Sequence, residues 1–338
     1  MTLRFGIVGA GGIAAAYLQI FADLPGATIT AVADIDADAA RAAADRHGAA
    51  AYSEMEEMLA AEQLDAVVVC TPPATHPVLA ITAVAAGVAV LCEKPLAVSV
   101  GAAQRMVGAA NGAGVPITTA TKFRFVPGVM RARDLVREGV LGELITIENI
   151  FASRVDMRER WNSDPAVSGG GVLIDNGTHS VDIARAFLGP IEEVLATEGP
   201  RVQGLVVEDS AQMLLRAESG ATGSVELSWS YDNATDTYLQ VYGSEGALRL
   251  GWQRSELRTN ADERWTTIAP GYDKLTCMRA QVENFCAALR GEEPMAITDA
   301  DAISSVGVID AAYRSLALGD WAPVENLRDA GRAGEGAA

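Results

Sequence analysis

Positive charge is in short supply in this chain of 338 residues. Its 26 lysines and arginines face 44 aspartates and glutamates, for a formal net charge of −18. Nucleic-acid binding needs a basic footprint, so that class is excluded, and anionic membranes are disfavoured for the same reason. The overall field favours cationic substrates, although net charge decides little about one pocket. Cysteine is scarce too. Cys70, Cys92, Cys277 and Cys286 show no metal-like clustering. Cys70 and Cys92 end apolar strand-like runs, so buried free thiols are expected. No apolar stretch reaches about 18 residues without a polar interruption, so no membrane span is expected. Met1-Thr2-Leu3-Arg4 leads into a strand with no signal-peptide pattern, and a cytoplasmic protein is the expectation.

What the chain does have is apolar mass. Hydrophobic residues make up 49% of it, enough for a sizeable core, and the length suggests two domains. Residues Leu3–Val8 read as a short strand. Gly9-Ala10-Gly11-Gly12-Ile13-Ala14 follows and opens a helix. This is the alanine-ending form of the dinucleotide fingerprint, placed between strand and helix where the chemistry needs it. Gly9 permits the tight turn, and Gly11 lets backbone approach a pyrophosphate at the helix N-terminus. Gly12 and Ile13 complete the cofactor-binding positions of that loop. The next strand ends at Asp34, 20 residues after Ala14. A carboxylate there accepts hydrogen bonds from ribose hydroxyls and repels a 2′-phosphate, so NAD is expected over NADP. Asp34 or Asp36 could instead serve as a helix cap.

Strand and helix patterns then alternate. Ser53 stands as a cap with Glu56 in the capping-box position. Ala66–Cys70 is a buried strand with Thr71-Pro72-Pro73 and His76 beyond its end. Val88–Cys92 is another, followed by Glu93-Lys94-Pro95. Ligands of doubly wound sheets sit beyond such ends, so Thr71, Pro72, His76, Glu93 and Lys94 join the cofactor-binding candidates. Pro95 biases Lys94 toward extended backbone at the strand end. The alternative for Lys94 is a surface lysine at a turn.

The stretch Gly169–Gly189 looks central. Three glycines open it, which often brings backbone close to a ligand. An amphipathic run follows, with Leu173, Val181, Ala184 and Leu188 as its apolar set. In a helix Asp175 and His179 stand at i and i+4, one turn apart on one face. A carboxylate there orients the imidazole and raises its basicity, which suits proton transfer. Asp182 extends the polar stripe. Before it, the irregular 153–168 segment holds Arg154, Arg158, Arg160 and Trp161 and could line substrate or be merely solvated. After Pro190, five strand-like runs linked by short turns imply a meandering antiparallel sheet. Helices are expected at Leu275–Arg290 and Asp299–Leu318. Aromatic and apolar side chains at Leu227, Trp229, Tyr231, Tyr238 and Tyr242 are candidates for an open sheet face, which points to a homodimer or homotetramer.

The fold class expected is α/β. A Rossmann doubly wound parallel sheet occupies residues 1–122. An α+β domain with a large, mainly antiparallel open sheet follows at 123–325, then a disordered tail at 326–338. Together the fingerprint, Thr71-Pro72-Pro73 with His76, Glu93-Lys94-Pro95, and Gly169-Gly170-Gly171 leading to Asp175 and His179 resemble the glucose–fructose oxidoreductase / inositol dehydrogenase / rhizopine-catabolism (Gfo/Idh/MocA) family over about residues 3–325. Ala14 departs from the third fingerprint glycine. The resemblance implies an NAD(P)-dependent oxidoreductase acting on a secondary alcohol or ketone of a sugar, aminosugar, cyclitol or nucleotide-linked sugar. It makes Lys94, Asp175 and His179 catalytic. Lys94, Arg124, Arg158, Trp161, Asp175 and His179 are the substrate-binding candidates, and no metal is required. Whether His179 or Lys94 carries the proton stays open. Two rival readings are a cofactor-binding sensor without turnover and a metal-assisted hydrolase. The second would need ligands beyond Asp175 and His179, and His76 is the only other plausible histidine.

Overall fold

The computed structural model describes residues 2–325 of the chain. The tail expected at 326–338 lies outside these residues. The chain forms two compact units. Among the described residues the first comprises 2–127, 166–169 and 272–297, and the second 128–165, 170–271 and 298–325.

In the first unit, β1 (Leu3–Val8), α1 (Gly12–Phe21), β2 (Ala27–Ala33), α2 (Ala37–Asp45), β3 (Ala50–Tyr52), α3 (Met55–Ala61), β4 (Ala66–Val69), α4 (His76–Ala85), β5 (Ala89–Glu93), α5 (Val100–Ala113) and β6 (Ile117–Ala120) follow in turn. The sheet order is β3-β2-β1-β4-β5-β6, all parallel. The order reverses at β1 and β4, and ligands of such sheets bind at that switch point. All four residues of β4 are buried, as a strand covered on both faces requires. Asp36 caps α2 by accepting from the Asp38 and Ala39 amides. Ser53 does not cap α3. The N-cap position falls on Glu54, without a side-chain hydrogen bond.

In the second unit, α6 (Pro127–Arg137) enters from the first. Then come β7 (Leu144–Ala152), a single turn α7 (Pro165–Ser168), α8 (Val172–Leu188), β8 (Ile191–Glu198), β9 (Ser210–Ala217), β10 (Thr222–Ser228), β11 (Thr237–Gly243), β12 (Gly246–Gly251), β13 (Arg254–Thr259) and β14 (Asp262–Pro270). Two helices, α9 (Lys274–Leu289) and α10 (Asp299–Leu318), and a short β15 (Ala322–Pro323) complete the chain. The nine-stranded sheet is mainly antiparallel, in the order β14-β13-β12-β11-β7-β10-β9-β8-β15. It is not a plain meander, because β7 is inserted between β11 and β10 and runs parallel to β10. Helices α8 and α10 cover one face.

Three expectations change. Helix α9 follows the second sheet in sequence yet packs in the first unit. Met278, Val282 and Phe285 join the core around Phe5 and Tyr17, and each such apolar side chain buried is worth about 1.5–3 kcal/mol. The hairpin β13–β14 was not expected, because its strands carry polar residues on both faces. Leu227, Trp229 and Tyr238 are buried rather than open. Tyr238 stacks with Phe151 at 5.7 Å and packs on Trp252 at 4.8 Å. The outward side chains of this sheet are instead Glu148, Leu195, Gln212, Leu214, Glu226 and Tyr242.

Candidate active site

The first unit builds a loop between β1 and α1. Gly9 has φ +91°, and a Cβ there would come within 2.9 Å of the Thr71 methyl group and 3.0 Å of backbone. Only glycine fits this approach to the β4 end. At Gly11 and Gly12 the reverse holds: a Cβ on either would meet nothing within 4 Å. These two glycines leave open space in front of the α1 N-terminus, where no side chain caps the helix. The amides there are suited to an anion. Asp34 follows β2. Its carboxylate accepts from the Ala10 amide at 2.6 Å and the Asp36 amide at 2.8 Å, so Asp34 pins the fingerprint loop and leaves capping of α2 to Asp36. Ile35, beside it, is 91% exposed. Arg41, the first cation after Asp34, pairs with Asp38 at 2.8 Å.

The ends of β4 and β5 are tied together. Thr75 donates to the Thr71 hydroxyl at 2.7 Å or the Pro72 carbonyl at 2.8 Å. His76 is fully buried, with Nδ1 2.9 Å from the Pro95 carbonyl and Nε2 2.8 Å from the Thr71 carbonyl. Both ring nitrogens are thus engaged by backbone. Its place among the cofactor candidates is as a brace behind Thr71 and Pro95. Burial pushes the imidazole below its ordinary pKa, against the pull of the two carbonyls and Glu93. Glu93 accepts from the buried Tyr17 hydroxyl at 2.7 Å and from the Lys94 amide at 3.2 Å. Tyr17 in turn accepts from Gln281 at 3.1 Å. The Lys94–Pro95 peptide is cis, and Lys94 is half-buried. Burial, followed by Glu93, raises the thiols of Cys70 and Cys92 well above their usual range, so they are poor nucleophiles. Arg124 is also buried in this unit.

In the second unit Asp175 and His179 both lie on α8 at i and i+4. Asp175 is half-buried and His179 is 7% exposed. Leu173, Val181, Ala184 and Leu188 are all buried, and so is Asp182. The glycines before the helix serve packing within the protein. A Cβ on Gly170 would clash with the Tyr313 hydroxyl at 1.9 Å, and one on Gly171 with the Glu208 carbonyl oxygen at 2.1 Å. Arg158, in the 153–164 segment, is held by Asp156 at 2.6 Å, and that guanidinium lowers the Asp156 carboxyl to about 2. Trp161 is 47% exposed. Among the described residues no group of three or more His, Cys, Asp or Glu side chains is set to hold a metal. No helix among them is long and apolar enough to cross a membrane.

Two family models match this architecture. The "Oxidoreductase family, NAD-binding Rossmann fold" model covers residues 3–121, and the "GFO/IDH/MocA C-terminal domain" model covers residues 129–249. The chain belongs to the Gfo/Idh/MocA oxidoreductase family. Its similarity to other members extends nearly end to end. A D-apiose dehydrogenase of Paraburkholderia graminis is 31% identical, over 95% of this chain and 89% of that one. A D-xylose 1-dehydrogenase (NADP(+)) of Haloferax volcanii is 30% identical, over 94% and 98%. The crystal structure of GenD2 from gentamicin A biosynthesis, in complex with NAD, is 29% identical, covers 96% of both chains and has a TM-score of 0.84.

Several residues around the Gfo/Idh/MocA positions escape a reading of the sequence. Tyr17, Gln281, Glu208 and Tyr313 act through contacts 76 to 264 positions away, or, for the bonds of Glu208 to the Gly171 and Leu173 amides, 37 and 35. No local spacing announces them. Ile35 had a signal, an apolar residue between two aspartates at a strand end.

Proposed function

We propose that this protein is an NAD-dependent dehydrogenase acting on a secondary alcohol of a sugar, aminosugar, cyclitol or nucleotide-linked sugar. The observation that carries the reading is the Asp175–His179 pair on one turn of α8, with His179 almost buried. A buried imidazole with a carboxylate one turn away is suited to accept a hydroxyl proton. Bound NAD supplies hydride acceptance at the carbinol carbon. His179 takes the hydroxyl proton, Asp175 orients the ring, and Lys94 stabilises negative charge developing on the oxygen. The names of the relatives, a D-apiose and a D-xylose dehydrogenase, support the substrate class.

The residues present fit the cofactor. Gly11 and Gly12, followed by Ile13, leave open space at the α1 N-terminus for a pyrophosphate. Asp34 would accept from the ribose hydroxyls, and exposed Ile35 offers an apolar surface to adenine. NAD is favoured over NADP because Asp34 would face a 2′-phosphate, and Arg41 is drawn to Asp38. The outer sheet face, with Leu195, Leu214 and Tyr242, is assigned to a homodimer or homotetramer, which light scattering tests. A cytoplasmic location fits the free cysteines, and fractionation of cells tests it. The activity is tested by following NADH formation with panels of pentoses, cyclitols, aminosugars and nucleotide sugars. NAD binding without turnover on any panel would favour the sensor reading.

A further inference from the structure

We infer that Glu208 is a positioning residue that caps α8 from outside the helix and fixes where Asp175 and His179 are presented. This rests on the proposed role of those two residues. Helix α8 begins at Val172, and its N-cap, Gly171, has no side chain to satisfy the first amides. Every helix leaves these donors without an internal partner. Here Glu208 supplies the acceptors. Its Oε1 accepts from the Gly171 amide at 3.0 Å and the Leu173 amide at 3.1 Å. Its backbone carbonyl accepts from the Val172 amide at 2.9 Å. Three successive amides at the start of the helix are therefore served by one residue. The carboxylate also places negative charge at the positive end of the helix.

Glu208 is itself held. Tyr313 of α10 donates to Oε1 at 2.7 Å, and burial followed by Glu208 raises the Tyr313 hydroxyl well above its usual range, so it remains a donor. The neighbouring Asp209 anchors the same turn. Its carboxylate accepts from the Gln203 amide at 2.8 Å, and its carbonyl from the Trp229 amide at 2.8 Å. Gln203 then donates to the Val155 carbonyl at 2.9 Å and accepts from the Met157 amide at 3.0 Å. The cap thus stands on a turn braced from three directions. The glycines of 170–171 follow from it: Tyr313 and Glu208 occupy the space that side chains there would need. Asp175 lies in the first turn of α8, where loss of a cap is felt most, and His179 one turn later.

The test uses full-length Glu208→Ala, Glu208→Gln and Tyr313→Phe, with amide hydrogen exchange and NADH formation from D-apiose, D-xylose and myo-inositol. In Glu208→Ala, amides 171–175 should exchange roughly tenfold faster, the scale of losing a cap. Its kcat should fall by about 10²-fold, as for a misplaced catalytic group, with the KM for NAD unchanged. Glutamine keeps an oxygen acceptor, so Glu208→Gln should restore most of both. Wild-type exchange and kcat in Glu208→Ala overturn the inference. So does a Glu208→Gln as slow as Glu208→Ala but with wild-type exchange, since charge rather than capping would then be what matters. If Glu208→Ala does not fold, the other two variants decide. Faster exchange at 171–175 in Tyr313→Phe with near-normal Glu208→Gln supports the cap, and two wild-type profiles overturn it. Exchange needs no substrate. If none of the three polyols is oxidised, the functional reading fails for them while the exchange result still decides the cap.

Discussion

The Tyr17 hydroxyl donates to Glu93 at 2.7 Å across 76 positions of chain, joining α1 to the segment that carries Lys94. The same hydroxyl accepts from Gln281 on α9 at 3.1 Å. Tyr17→Phe keeps the ring packed but leaves two polar groups short of a partner. Leaving such groups unsatisfied costs about 1–3 kcal/mol. A loss of that size in urea unfolding is expected, with a lower kcat as the Glu93-Lys94-Pro95 segment loosens. An unchanged unfolding midpoint would show that the contact adds nothing.

Asp34 should decide cofactor choice. Its carboxylate is already set by the Ala10 and Asp36 amides, so it is preorganised rather than recruited. Binding of NAD should exceed that of NADP by at least tenfold, about 1.4 kcal/mol. Asp34→Ala should weaken NAD and narrow the gap, since it removes both the ribose acceptor and the repulsion of a 2′-phosphate. Fluorescence titration with NADH and NADPH measures both. Tighter binding of NADPH to the unaltered protein would refute the assignment.

The parts of the fold set by short-range patterns were legible in the sequence. The fingerprint sits between β1 and α1, and the expected Gly169–Gly189 run is helical from Val172 to Leu188. Parts that depend on distant partners were not. The glycines at 170 and 171 suggested approach to a ligand, but what approaches is Tyr313 and Glu208. Tyr238 and Tyr242 lie on β11, while Trp229 and Tyr231 follow the end of β10, and all four fall in runs that read as strands. Alternation does not say which face is covered, and the helices α8 and α10 decide that. Strands β13 and β14 lack apolar alternation, and pairing of β13 along β12 and of β14 along β13 creates them.

His76 makes stability depend on pH. Burial holds its folded-state pKa below the ordinary value of 6.5. The unfolded chain therefore binds a proton that the folded chain resists. This contribution to stability is fully present above about pH 6.5, and it is lost as the pH falls toward the folded-state pKa. Urea midpoints of the wild type and His76→Gln should converge or cross on acidification below that point, the wild type losing more. Parallel pH dependences would show that His76 does not titrate differently on unfolding.

The roles given to Lys94, Asp175 and His179 predict a pattern of losses. His179→Ala removes the proton acceptor, and kcat should fall by roughly 10²–10⁴, the range for general-base catalysis. NAD affinity should hardly change, because Gly9–Ile13 and Asp34 belong to the first unit and His179 to the second. Asp175→Asn keeps the shape but removes the charge that orients the ring, so its loss should be smaller than that of His179→Ala. In the double variant the two losses should not add, since Asp175 is proposed to act through His179. Lys94→Ala should also lower kcat strongly, by loss of charge stabilisation at the reacting oxygen. Stopped-flow NADH formation on each variant, with NADH titration alongside, measures both quantities. Near-normal kcat in both His179→Ala and Lys94→Ala would place the chemistry on other residues.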